Sequence, residues 1–268
     1  AVITNFAIEG WTYGNTPNAP TATTNFGTIV YTYSSTLTGT YTSTVPTNAG
    51  TYYVKASVVE TDNYNGAVAT YEFSISKKAV SVSWTVGSYT YTGSVLTNPT
   101  ASIKLVDGTD YELNVTTTKE FKNVDTYTFT AVIPDSTDAG NYILTNDTCE
   151  VTVDKKEVVA PVIEDLLYTG EHQAPSISDT ELYSVVENAG GTNAGTYYVV
   201  LQLNDFNNYK WSTSLVDKIT IEYDIYLNDN EWTTTPSVSD VTYGEKVTPI
   251  AEAKFGTVTV TYNVPSNV

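Results

Sequence analysis

The sequence contains no arginine, no methionine, one cysteine (Cys149), one histidine (His172) and two glutamines (Gln173 and Gln202) in 268 residues. Each shortage removes a class of chemistry. A single cysteine cannot close an internal disulfide, and a single histidine argues against a His-rich metal centre or a Ser-His-Asp triad. All 12 cations are lysines, set against 30 Asp and Glu for a formal charge of −18. Binding to nucleic acid depends on clustered cations that displace counterions from phosphates, so a chain of this sign is repelled by nucleic acid. Anionic membrane surfaces are disfavoured by the same argument. No apolar run reaches the roughly 18 residues that a spanning helix needs. The segment Ala1 to Gly10 has Glu9 and no basic or long apolar region, so it is not an intact signal peptide.

What is abundant points the other way. Threonine occurs 47 times and tyrosine 22 times, while charged residues make up only 16% of the chain. This palette predicts a secreted, surface-located protein whose targeting and anchoring segments lie outside these residues.

The chain repeats itself. The step Tyr13-Gly14, Tyr91-Thr92-Gly93, Tyr168-Thr169-Gly170 and Tyr243-Gly244 recurs at intervals of 78, 77 and 75 residues. A second marker, Asn48-Ala49-Gly50-Thr51-Tyr52-Tyr53-Val54, returns as Asn193 to Val199 and more loosely as Asn123 to Phe129. A third follows as Asn63-Tyr64, Asn141-Tyr142 and Asn208-Tyr209. Ordered self-similarity at one period is the signature of tandem modules. The units expected are 1–78, 79–156, 157–226 and a partial fourth, 227–268, which matches Trp11 to Tyr33 with Val241 to Tyr262 and then stops. That half unit leads to the expectation of a longer parent chain, and of strands held in order only by packing on the third unit.

Inside each unit the apolar period is two. Tyr71 to Ser76, Thr51 to Val58 and Thr257 to Tyr262 alternate apolar or aromatic residues with polar ones, the pattern of strands with one buried face. Thr, Tyr and Val suit such a pleated surface. Short strands punctuated by Gly, Asn, Asp and Pro, with no helical apolar stripe, predict an all-β fold of tandem small Ig-like β-sandwich modules in an elongated array. Modules this small leave much surface wet, and Tyr, apolar in its ring and polar at its tip, fits their core edges.

These motifs resemble the MBG-type and related immunoglobulin-like repeats of bacterial surface proteins. The first unit carries the pattern in Gly10 to Gly14, Phe26-Gly27, Pro46 to Tyr52 and Asn63-Tyr64. The third carries it in Tyr168 to Glu171, Asn193 to Tyr197 and Asn208 to Trp211. The second is similar to a sister pattern through Asp107-Gly108-Thr109-Asp110-Tyr111, and its Asn123-Val124-Asp125 departs from Asn-Ala-Gly. The resemblance implies tandem modules in long, wall-attached proteins of Gram-positive bacteria that act as stalks or adhesins. The motifs themselves read as turn-and-strand signatures that specify a fold rather than a site.

Candidate chemistry is sparse. Carboxylates are numerous but spread over the repeats, so the reading is non-enzymatic. The net charge is −1 over 1–78, −5 over 79–156, −9 over 157–226 and −3 over 227–268. The third unit is therefore the acidic one, with Glu164, Asp165 and Glu171 near its first turn; a solvated face is the plain reading and weak calcium binding the alternative. Asp135 to Asn141 is another oxygen-rich turn. No cofactor is expected. Cys149 lies in phase with Val151 and Val153, which predicts an inward, inert thiol, and His172 follows a turn and should be exposed. Surface modules of this kind sometimes hold Lys–Asn or Thr–Gln crosslinks, but two glutamines and no fixed lysine position give little basis for one.

Aromatic rings are the strongest binding candidates, since sugars stack on flat faces. Trp11 and Trp84 are the candidate ligand residues, against the alternative that Trp11 and Trp211 fill cores or junctions. The expectation is thus a monomeric stalk or spacer of the cell surface with an adhesive role, joined to neighbouring domains. The alternative is a module that binds host glycans or glycoproteins through Tyr and Trp faces.

Overall fold

The computed structural model describes residues 1–134 and 139–262. Most of the oxygen-rich turn that begins at Asp135 (residues 135–138) lies outside the described residues. Apart from one 3-10 turn at Ala139–Asn141, every regular element among the described residues is a β-strand. The chain divides into two compact units, Ala1–Lys156 and Glu157–Val268.

In the first repeat, β1 (Ile3–Ala7) pairs with β3 (Thr21–Thr24). Opposite them lies a four-stranded sheet in which β2 (Trp11–Thr12) runs parallel to β6 (Ala67–Ser76), followed by β5 (Gly50–Val58) and β4 (Ile29–Ser34). The alternation places Val54, Phe73 and Ile75 inward beside Ile8, Trp11 and Tyr33. Each such side chain, fully buried, contributes roughly 1.5–3 kcal/mol of transfer free energy.

The second repeat has the most strands. It contains β7 (Lys78–Ser81), β8 (Ser83–Thr85), β9 (Tyr89–Thr90), β10 (Thr100–Lys104), β11 (Asp110–Glu112), β12 (Asn114–Thr117), β13 (Thr126–Val132), β14 (Tyr142–Thr145) and β15 (Thr148–Asp154). Its four-stranded sheet has the order β9-β15-β13-β12, again with a parallel first-to-last pair. Phe121, Tyr127, Phe129, Val151 and Val153 form one core under this sheet; Val80, Ile103, Leu113 and Tyr142 belong to another. Cys149 shares the phase of Val151 and Val153 but is only half-buried, because it sits near the strand's start, opposite Phe129.

In the second compact unit, β16 (Lys156–Val158; its first residue closes the first unit) pairs with β20 (Tyr209–Trp211). A four-stranded sheet runs β17 (Leu166–Leu167), β21 (Lys218–Tyr226), β19 (Gly195–Leu203), β18 (Tyr183–Glu187). Its core gathers Val199, Leu201, Trp211, Tyr223 and Ile225. The last pair is β22 (Trp232–Ser237) with β23 (Ile250–Ala253).

The same sheet order three times over defines the chain as all-β, built of small Ig-like β-sandwich modules. A local hallmark agrees. The hydroxyls of Tyr127 and Tyr197 donate back to the carbonyls of Asn123 and Asn193, both at 2.9 Å, a tyrosine corner at the start of β13 and of β19. The Tyr-Gly step also has one geometry throughout: Gly14, Gly93, Gly170 and Gly244 have φ of 83°, 83°, 87° and 90°, left-handed values at which a side chain is strained.

One expected strand is missing. Thr257 to Tyr262 alternates as β4 does, yet forms no ladder. Pairing needs a neighbour to supply the opposite donors and acceptors, and β5, which supplies them in the first repeat, has no counterpart beside this segment among the described residues.

Candidate functional site

The structure gives the tandem markers a second role where one repeat meets the next within a compact unit. Only Lys77 separates β6, the last strand of the first repeat, from β7, the first of the second. At this boundary Asn141 is 2% exposed, an uncommon place for an amide. Both ends of its side chain are used. Its Oδ1 accepts from the Ala49 backbone N–H at 2.7 Å, and its Nδ2 donates to Asn48 Oδ1 at 3.3 Å. The Asn-Ala-Gly marker of one repeat is thereby fastened to the Asn-Tyr marker of the next.

The neighbouring residues extend the joint. Tyr13 packs against the cores of both repeats and meets Tyr142 edge to face, ring centroids 5.3 Å apart. The Tyr142 hydroxyl accepts from the Val106 N–H at 3.1 Å. A Cβ added at Gly14 would stand 2.5 Å from Val106 Cγ1, so the left-handed glycine also permits the close approach. The third repeat uses its own marker in the same way: Tyr168 meets Phe255 edge to face at 5.6 Å, and Asn228 Nδ2 donates to the Tyr168 carbonyl at 3.2 Å. Edge-to-face pairs add about 0.5–1.5 kcal/mol beyond area burial.

The residues chosen from sequence are placed differently from a ligand platform. Trp11 is 8% exposed and stacked on Phe73 at 5.2 Å, so a sugar would have to displace core packing to reach its face. Trp84 is half-buried between the two cores of the second repeat, and its Nε1 donates to the Asn146 carbonyl at 3.0 Å. Trp211, as the alternative reading held, is a core residue. The outward face of β5 carries the half-buried Tyr53 instead. There Tyr53 lies opposite Glu72, and Lys55 stands 3.7 Å over the ring of Tyr41. The hydrogen bond with Glu72 raises the Tyr53 phenol above its ordinary range. The third repeat has the matching exposed Tyr198 opposite Glu222. No spacing rule in the sequence separates these tyrosines from their inward neighbours Tyr52 and Tyr197, except strand parity.

Among the described residues no group of three or more His, Cys, Asp and Glu side chains could hold a metal ion. Part of the third repeat's acidity has a structural use: Asp165 Oδ1 accepts from the Asp224 N–H at 2.8 Å, and Asp165 raises the Tyr226 phenol. The glutamine amides are occupied locally, Gln173 on the Leu167 carbonyl and Gln202 on Asp217. His172 is exposed, as its turn predicts.

No family profile matches the chain, and no curated protein matches it either. Solved structures similar to the chain at low level include two, each named by what it holds. One is the Sidekick-1 immunoglobulin domains 1-5, with 13% identity and a TM-score of 0.22, covering 88% of this chain; this chain spans 63% of that one. The other is the Bacteroides ovatus mixed-linkage glucan utilization locus protein SGBP-B in complex with a mixed-linkage heptasaccharide, with 14% identity, a TM-score of 0.19, and coverage of 91% and 72%.

Proposed function

We propose that residues 1–268 are a non-enzymatic spacer of a bacterial cell-surface protein of the MBG-type repeat class, in which serial modules hold a functional part at a distance. The observation that carries this reading is the fastened boundary around Asn141. A flexible linker needs several free residues, whereas one lysine joins β6 to β7 and a buried amide ties the flanking markers together. Repeats that contact only their neighbours form a quasi-one-dimensional array. Small-angle scattering of the whole chain should give a radius of gyration well above the roughly 18 Å of a compact globule of this length. A value at that limit removes the spacer.

The outward tyrosines favour a second reading, recognition of glycans or host glycoproteins. Tyr198 offers an exposed ring and Tyr53 a half-buried one, each opposite a carboxylate, which can accept from sugar hydroxyls. A glycan array should then show a signal that falls at least about tenfold in a Tyr53→Ala/Tyr198→Ala chain, one tenfold step being about 1.4 kcal/mol. A signal unchanged by that substitution excludes this face.

A further inference from the structure

In each of three repeats a short strand near the start lies parallel to the last strand, and the three contacts are the same. Trp11 is beside Ile75 and Thr12 beside Ser76; Tyr89 is beside Val153 and Thr90 beside Asp154; Leu166 is beside Ile225 and Leu167 beside Tyr226. The long ladders around them, β4–β5–β6, β13–β15 and β19–β21, are all antiparallel. One further backbone bond closes each parallel pair at the same place. The amides of Tyr13, Tyr91 and Tyr168 donate to the carbonyls of Ser76, Asp154 and Tyr226, each at 2.9 Å. The glycine that follows has a left-handed φ and turns the chain out of the pair. The Tyr-Gly marker is thus the end stop of a parallel contact.

This contact has a direction. A pull along the chain takes hold of β2 at its N-terminal end and of β6 at its C-terminal end. Because the two run parallel, the opposed forces slide one strand along the other, and the evenly spaced bonds between them are loaded together. The same bonds pulled from one end would open one at a time. The pairs β9–β15 and β17–β21 stand in the same relation to their repeats. Water, which replaces stretched backbone bonds, is kept from them on the inner side. Ile75, Val153 and Ile225, opposite the first residue of each short strand, are 3%, 0% and 1% exposed, and hydrogen bonds sheltered in this way are the stronger ones. In the first repeat the approach is also close: a Cβ at Gly10 would collide with the Ser74 carbonyl.

We infer that β2–β6, β9–β15 and β17–β21 are load-bearing clamps, so that the repeats carry tension along the chain without unfolding. This rests on the spacer reading and adds to it, since a spacer need only be long, whereas a clamp matters only to a chain that is pulled.

Single-molecule pulling on the second repeat, within the whole chain, tests the clamp. Thiol handles are introduced in a Cys149→Ser chain at two pairs of exposed positions. Ser88→Cys with Asp154→Cys loads β9 and β15 from opposite ends, and Thr92→Cys with Asp154→Cys loads them from the same end. The first pair should rupture at the higher force. Forced unfolding follows the unfolding rate, so under constant force through the first pair of handles Tyr91→Pro, which removes the closing N–H, should unfold about three- to tenfold faster than Tyr91→Ala, which removes only the ring. Equal forces in the two directions overturn the clamp, and this holds even where scattering shows an extended chain and the spacer stands. Equal rates for Tyr91→Pro and Tyr91→Ala overturn it too. Should Tyr91→Pro fail to fold, the comparison of directions decides alone.

Discussion

Trp211→Ala should strongly destabilise the third repeat. The ring is 1% exposed, its Nε1 donates to the Asp217 carbonyl at 3.1 Å, and it lies 5.7 Å from the ring of Tyr183. Truncating a buried tryptophan costs about 3–5 kcal/mol from lost transfer free energy and the cavity left behind. A repeat of about 70 residues holds only roughly 4–10 kcal/mol in total. Urea unfolding followed by amide signals of residues 195–226 should therefore show the transition moved to much lower denaturant. Trp232→Ala is the internal control. That ring is 53% exposed, and substitution there should stay within about 0.5 kcal/mol. Comparable losses at both positions would contradict the assignment of Trp211 to the core.

The second large effect is expected at the joint. Asn141→Ala leaves the Ala49 N–H without its acceptor and Asn48 Oδ1 without its donor. Removing one partner of a buried hydrogen bond costs about 1–3 kcal/mol. Here the cost falls on the boundary rather than on either sandwich. The substitution removes no apolar side chain from the three cores of these two repeats, so each repeat should keep most of its own stability. What should be lost is their coupling. Residual dipolar couplings from the first and second repeats should fit one alignment tensor in the native chain and two different tensors in the variant. Gly14→Ala attacks the same boundary from the other side, through a strained φ of 83° and the 2.5 Å approach to Val106. If both variants keep a single tensor, the markers do not fasten the repeats.

The markers show where sequence reading stopped. Asn48-Ala49-Gly50 and Asn141-Tyr142 were recognisable as recurring motifs, and each is compatible with an isolated turn. That they bind each other across 92 residues depends on where two sandwiches place their ends, which no local pattern encodes. Trp11 and Trp84 illustrate the same limit for a ligand surface. Sequence marks a ring as large and apolar; whether Phe73 already covers it is a matter of packing. Tyr52 and Tyr53 are neighbours of one type, and only the strand's parity sends the first toward Phe73 and the second toward Glu72.

The sequence by itself determined the repeat period, the alternating strands and the glycine turns, because these follow from steric preferences and side-chain periodicity within a few residues. The acidic, lysine-only surface was fixed at the same level. Tertiary structure alone decided which aromatics are sealed, which amide is buried at a boundary, and that Thr257 to Tyr262 stays unpaired despite a good strand pattern. The reason is physical: burial and ladder formation are properties of the partner as much as of the segment. Beside β4 that partner is β5, and beside Thr257 to Tyr262 there is none among the described residues.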